Sequence, residues 1–315
     1  MKISPFWIIT VLILVGGYLF AEWAENQFLF FAGYVVLQSL IMAVAWNILG
    51  GFTGYVNFGS AGFFAVGAYT AIALHQFLEA PLIVLIIIAG VICGLIGLGT
   101  GYLTLRLRGV YFAIATLAMA IVFESLITNW EYVGGSTGAY VITPTEVPFF
   151  DSYIEMLFVL MLFLALVSVA VSRYLSISRI GQGLAAIRDD ETAAECMGVP
   201  TLRLKLISTT VMGAMMGVCG APFPFFVTYI NPLSAFDLLI AVNSIAMPMI
   251  GGTAVWFGPV IGALLLGTIQ QIITVTVSSE LNILIVGVVL VLFVALAPRG
   301  IVGLVQDVMK KRRGK

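Results

Sequence analysis

Ten uninterrupted apolar runs dominate this chain, at about 5–21, 28–50, 54–78, 81–105, 110–128, 154–172, 206–228, 237–255, 258–277 and 281–298. Most are roughly 18 to 25 residues long, the length of a helix that crosses a hydrocarbon core about 30 Å thick. In lipid only helices and closed barrels satisfy their own backbone. Barrel strands would show alternating segments of about ten residues, whereas these runs are continuous. Only 9% of the residues are charged, against about a quarter in a soluble domain. The expected fold class is therefore an all-α polytopic membrane protein. It has about ten transmembrane helices, some broken by Gly or Pro, in a single membrane domain covering 1–315.

Orientation follows from the lysines and arginines of the short loops. If Lys2 starts inside and every run crosses once, the Arg106/Arg108 loop falls inside. So do the stretch from Arg173 to Lys205 and the basic tail from Arg299 to Lys315. The loops carrying Glu22 and Glu25, Glu79, Glu131 to Asp151, and Glu280 then fall outside with no basic residue among them. Both termini are expected in the cytoplasm. The first run is read as a retained helix rather than an export signal, because Trp23 spoils a small-x-small cleavage pattern.

Gly50, Gly51, Gly54 and Gly59 interrupt the chain between the second and third runs, and Pro222, Pro224, Pro232, Pro248 and Pro259 interrupt the later ones. Breakers inside membrane segments are tolerated where backbone is buried or lines a cavity. Gly62, Gly94 and Gly262 read better as sites of close helix packing. The segment from Met249 to Pro259 faintly echoes that from Ile48 to Ser60, each a double glycine followed by Phe-Gly. Such repeats are common in transporters.

Several chemistries are excluded. Cys93, Cys196 and Cys219 form no CxxC pair and His75 stands alone, so neither a metal site nor a disulfide framework is supported. The only Lys that follows a Gly is Lys315, so no phosphate-binding P-loop is encoded. The run from Gly181 to Ala186 fits a loose G-x-G-x-x-A but follows a membrane helix, outside any βαβ unit. No cofactor and no nucleic-acid partner are expected.

The stretch 173–205 is a polar island holding nine charges. Asp189 or Asp190 can cap a helix, and Glu191 in its first turn complements the dipole. Gly198 supplies a left-handed stop and Pro200 forbids continuation. A helix of about eight residues follows, too short to stand alone in water. Ala193, Ala194 and Met197 are expected to form a low-relief face that docks into a groove.

The Glu191-Thr192-Ala193-Ala194 run followed by Gly198 resembles the EAA-type loop of ABC importer permeases. More narrowly, Gly183 through Val199, Trp46 through Gly59, and Leu107 through Ala118 are similar to branched-chain amino acid permeases of the LivM type. The likeness runs from about residue 30 to 305. It implies a cytoplasmic coupling loop over 173–205, with Arg188, Asp189, Asp190, Glu191, Ala193, Ala194, Met197 and Gly198 contacting an ATPase. It also implies the bacterial inner membrane as location and a homologous LivH-like permease as partner. Two cytoplasmic ATP-binding subunits and a periplasmic binding protein complete the system. The chain would not itself be an enzyme.

Polar residues within the apolar runs are the pathway candidates: Asn47, Gly51, Thr53, Asn57, Ser60, Glu124 and Asn243. A carboxylate such as Glu124 costs up to about 3 kcal/mol at membrane depth. It is expected to face a wet cavity, pair, or snorkel outward. Asp237 reads as a helix cap. The basic tail also favours anionic lipid. A urea or short-amide permease is the competing reading within the family. An ion-coupled secondary transporter is the competing reading of another class; it would need paired intramembrane charges, and it leaves the EAA-type loop unexplained.

Overall fold

A computed structural model describes residues 5–23, 26–78, 80–142, 150–276, 284, 287–288, 291 and 300–304. The first helices are α1 (Pro5–Trp23), α2 (Gln27–Thr53), α3 (Ser60–Leu78), α4 (Leu82–Thr104) and α5 (Val110–Thr128). After them come α6 (Tyr153–Ile177), α7 (Arg179–Asp189), α8 (Glu191–Cys196) and α9 (Thr201–Gly220). The chain continues with α10 (Phe223–Val227), α11 (Pro232–Ala235), α12 (Leu238–Gly251) and α13 (Gly258–Thr276).

Among the described residues, seven helical segments have the length and hydropathy to cross a membrane: 27–53, 60–78, 82–104, 110–128, 153–177, 201–227 and 232–251. Two shorter apolar helices lie within α1 and α13. Nine of the ten expected runs are thus helical, seven of them at full spanning length; the tenth, 281–298, lies largely outside the described residues. The third run also begins later than its hydropathy suggests. Gly54 ends α2 at φ 79°, and residues 54–59 form a linker before Ser60.

The axis of the fold is α2. Asn26 caps its start by accepting from the Phe28 amide at 3.0 Å, and every residue from Leu40 to Thr53 is buried. A helix apolar on all sides belongs in a core, and α2 is packed by α6, α9, α12 and α13. A second seam joins α3, α4 and α9 through small residues. A Cβ on Gly97 would lie 2.8 Å from the Thr209 carbonyl oxygen, and one on Gly213 2.7 Å from that of Cys93. Small residues permit this backbone approach where apolar side chains gain nothing by leaving lipid. Gly62 against Ala120, Gly94 against Ala214 and Gly262 against Met247 are packing glycines of the same kind.

The prolines act mostly at helix starts. Pro222 precedes α10, Pro224 lies in its first turn, and Pro232 opens α11; among the described residues only Pro248 lies well inside a helix. Asp237 caps α12, its carboxylate accepting from the Leu239 amide at 2.9 Å. The loop after α5 is pinned rather than free. Its β1 (Ala139–Tyr140) pairs antiparallel with β2 (Tyr229–Ile230), Ala139 opposite Ile230.

One end of the bundle collects Phe6, the 54–59 linker, the 105–109 linker, α7, α8 and the 252–257 loop. The Arg173 guanidinium lies 4.0 Å from the Phe6 ring and 5.5 Å from that of Trp256. Gly300 packs on the backbone of Gly252 at the same end. Lys2 and residues 305–315 lie outside the described residues.

Candidate functional site

The polar island folds as two helices. Ser178 caps α7 by accepting from the Gly181 amide at 3.3 Å. Leu184 and Ile187, spaced for one helical face, bury it. Asp190 then breaks the helix with extended backbone and caps α8, accepting from the Ala193 amide at 3.0 Å. Gly198, at φ 82°, turns the chain, and the Val199 amide reaches back to the Ala194 carbonyl at 3.0 Å. The cap and the glycine stop stand where the sequence places them.

The helix is shorter than the expected eight residues, and its faces divide differently. Ala193 and Met197 are exposed, Met197 by 84%. Ala194 is buried against the protein's own core, which removes it from the docking face inferred from sequence. Spacing alone could not separate them, because a six-residue helix on a surface shows too little periodicity to reveal its inner side. Arg188, Asp189, Asp190 and Gly198 are exposed with Ala193 and Met197.

Glu191 also turns inward. Lys205 Nζ, on α9, donates to its Oε1 at 2.6 Å, and the Tyr55 hydroxyl donates to its Oε2 at 2.6 Å. Arg108 Nε approaches Oε2 at 3.6 Å. Lys205 also donates to the Tyr55 hydroxyl at 3.1 Å and to the Leu105 carbonyl at 3.4 Å, and lies 4.6 Å from the Tyr55 ring centre. One carboxylate thus joins α8 to α9, to the α2–α3 linker and to the α4–α5 linker. Burial opposes its ionisation. The hydrogen bonds from Lys205 and Tyr55 and the charges of Lys205 and Arg108 outweigh burial and hold its pKa below the ordinary value. Burial first, then Glu191, pushes the Tyr55 hydroxyl up, so it stays a donor.

Sequence reasoning used Lys205 and Arg108 only to orient the chain and passed over Tyr55. The available signal was a lysine at the very edge of an apolar run, where an unpaired ammonium is costly. Its partners are 14, 100 and 150 residues away, beyond the reach of any local pattern.

The pathway candidates are placed individually. The Asn47 amide donates to the Thr253 carbonyl at 3.2 Å. A Cβ on Gly51 would come within 2.8 Å of that same oxygen. The two double-glycine segments that echo one another in sequence therefore touch. Thr53 donates to the Leu49 carbonyl at 2.6 Å and finishes α2. Ser60 and Ser244 share a hydrogen bond of 2.8 Å between α3 and α12, and Asn243 accepts from Gln270 at 3.2 Å. Asn57 accepts from the Gly59 amide at 2.6 Å and borders a small cavity lined by Thr100, Thr104, Thr116 and Thr209 together with Phe63, Phe112, Met119 and Phe123. Glu124 is half-buried on α5. Of the seven candidates, Asn57 alone borders that cavity.

A family described as "Branched-chain amino acid transport system / permease component" matches residues 28–294. The chain is similar to the "High-affinity branched-chain amino acid transport system permease protein LivM" of Escherichia coli (strain K12). They are 26% identical over 300 residues, covering 87% of this chain and 70% of that one. It is also similar to the LivH permease protein of the same system in Salmonella typhimurium (strain LT2), 24% identical over 307 residues, covering 89% and 97%. The matched span takes in α2 through α13, with the capped helix α8 and both double-glycine segments. The chain belongs to this family of multi-pass permease components of branched-chain amino acid transport systems.

Proposed function

We propose that this chain is a permease subunit that moves branched-chain amino acids into the cytoplasm, driven by separate ATP-binding subunits. The family match carries this reading. The surface helix α8, displaying Ala193 and Met197 while anchored from behind by Glu191, supports it. A homologous LivH-like subunit completes the membrane pair, and a periplasmic protein delivers the solute. The end of the bundle that carries α7 and α8 faces the cytoplasm, in keeping with the basic residues gathered there. Both termini lie on that side of the bacterial inner membrane. ATP-driven movement of the ATPases displaces α8, and the membrane halves alternate access by rigid-body rocking. Asn57, beside the small cavity between the 54–59 linker and α5, is the best placed of the pathway candidates.

The test is ATP-dependent uptake of labelled leucine by the co-expressed complex in proteoliposomes, with urea and acetamide as competing solutes. Leucine uptake that needs ATP and the binding protein supports the reading. ATPase subunits that never co-purify would sink the ABC mechanism. Uptake of urea or acetamide in place of leucine would overturn the solute.

A further inference from the structure

We propose that Tyr55 is a positioning residue that ties the cavity beside Asn57 to α8. Its hydroxyl follows Glu191 on that surface helix, while its ring and the linker it belongs to bear on the α5 wall of the cavity. The inference deepens the transport reading above and rests on it.

The size of the cavity gives such a tie its purpose. It measures about 10 Å³, at most enough for a single water. No amino acid enters until the lining rearranges. Phe112, Thr116, Met119, Ala120 and Phe123 of α5 supply much of that lining, and Asn57 and Gly59 of the linker close it.

The linker is fastened to this wall at three points. The Tyr55 ring meets Phe112 edge-on, with ring centres 5.1 Å apart. The Phe58 amide donates to the Thr116 hydroxyl at 3.1 Å. A Cβ on Gly59 would stand 2.8 Å from the Thr116 carbonyl oxygen. Only the Tyr55 hydroxyl leaves the wall, donating to Glu191 Oε2 at 2.6 Å. A buried tyrosine with two side-chain torsions is a short, stiff strut. A shift of α8 felt at its hydroxyl is therefore delivered to Phe112, and along the chain to Asn57.

A second route from Glu191 to the cavity runs through Lys205 to Thr209 on α9. That helix is locked to α3 and α4 by backbone approaches at Gly67, Gly97 and Gly213, so it holds its place. The Tyr55 route ends instead on an aromatic side chain and a non-helical linker. The Tyr55 and Phe58 amides bond to the Thr53 and Thr116 hydroxyls, so the linker shifts without breaking a helical hydrogen bond. Arg108, 3.6 Å from Glu191, reaches the carboxylate from just before α5 and so acts on the same wall.

The test uses the complex with its ATPase subunits and binding protein in proteoliposomes. Tyr55→Phe keeps the ring on Phe112 and removes the hydroxyl; Phe112→Leu keeps the hydroxyl and removes the ring contact. Each should lower the leucine carried per ATP hydrolysed by about tenfold, an ordinary coupling effect, while assembly and hydrolysis persist. The double variant should be no worse than either single one, because both cut the same connection. A thiol at Met119→Cys, with Cys196→Ser to clear the exposed native one, reads the cavity itself. Its labelling by a small methanethiosulfonate should change severalfold on ATP binding, and Tyr55→Phe should abolish that response. An unchanged leucine-to-ATP ratio in Tyr55→Phe and Phe112→Leu would overturn the inference. So would uptake and hydrolysis falling together in step with melting temperature, or a nucleotide response at Met119→Cys that survives Tyr55→Phe. Any of these in a complex with ATP-driven leucine uptake removes the inference alone. ATPase subunits that never bind the wild type remove the transport reading with it.

Discussion

Lys205 Nζ lies 2.6 Å from Glu191 Oε1, although α9 enters the bundle there and α8 lies on its surface. An ammonium near the start of a membrane segment is tolerated because the carboxylate, the Tyr55 hydroxyl and the Leu105 carbonyl surround it. The pair fastens α8 to α9.

Lys205→Met leaves Glu191 facing the core without its closest counter-charge. We expect a loss of roughly 3 kcal/mol, the cost typical of breaking one side of a buried pair. Glu191→Gln with Lys205→Met removes both charges and should recover most of the loss. Thermal unfolding of the purified permease, followed by tryptophan fluorescence, checks the order: wild type above double variant above Lys205→Met.

Acid should weaken the same anchor. Since the folded pKa of Glu191 is depressed, its contribution is fully present above the unfolded value of about 4.3. It is lost as pH falls through the lower folded value. The difference in melting temperature between wild type and Glu191→Gln should therefore hold from pH 7 to about 5 and shrink as pH falls from there toward 3. A gap that stays constant over that range would contradict the assignment.

Arginine substitutions on α8 should separate by face. Met197 is 84% exposed and Ala194 only 5%. Met197→Arg is expected to leave a monodisperse, folded permease that no longer co-purifies with ATPase subunits. Ala194→Arg forces a long cation into the protein's own interior and should lower the melting temperature of the isolated permease. Equal effects of the two on folding would remove the distinction.

The glycine seam offers a test of packing. A Cβ on Gly67 would stand 2.6 Å from the Gly217 α carbon, backbone that cannot step aside, whereas nothing lies within 4 Å of one on Gly99. Gly67→Ala should cost about 1–3 kcal/mol by overpacking. Gly99→Ala, on an exposed face of α4, should be neutral or slightly stabilising because alanine is the better helix former. Melting temperatures of the two variants decide it.

Hydropathy made the membrane helices legible one by one, because each must satisfy its backbone within its own segment. Residues Asp190, Gly198 and Asp237 announced their helix ends for the same reason: caps and left-handed turns are settled by neighbours within a few residues. The resemblance at 183–199 likewise pointed to the family, since a coupling loop is a contiguous stretch. What the sequence could not supply was the inner side of α8, with Ala194 and Glu191 turned away from the docking face. Nor could it supply the meeting of Asn47 with Thr253, 206 residues later, or that of Lys205 with Tyr55. Those contacts depend on which helices lie beside one another, and in an apolar bundle nearly every face looks alike to a periodicity argument. Local chemistry determined the helices and their ends. Only the tertiary packing decided which few polar side chains meet, because a charge brought into the bundle persists only where distant partners converge on it.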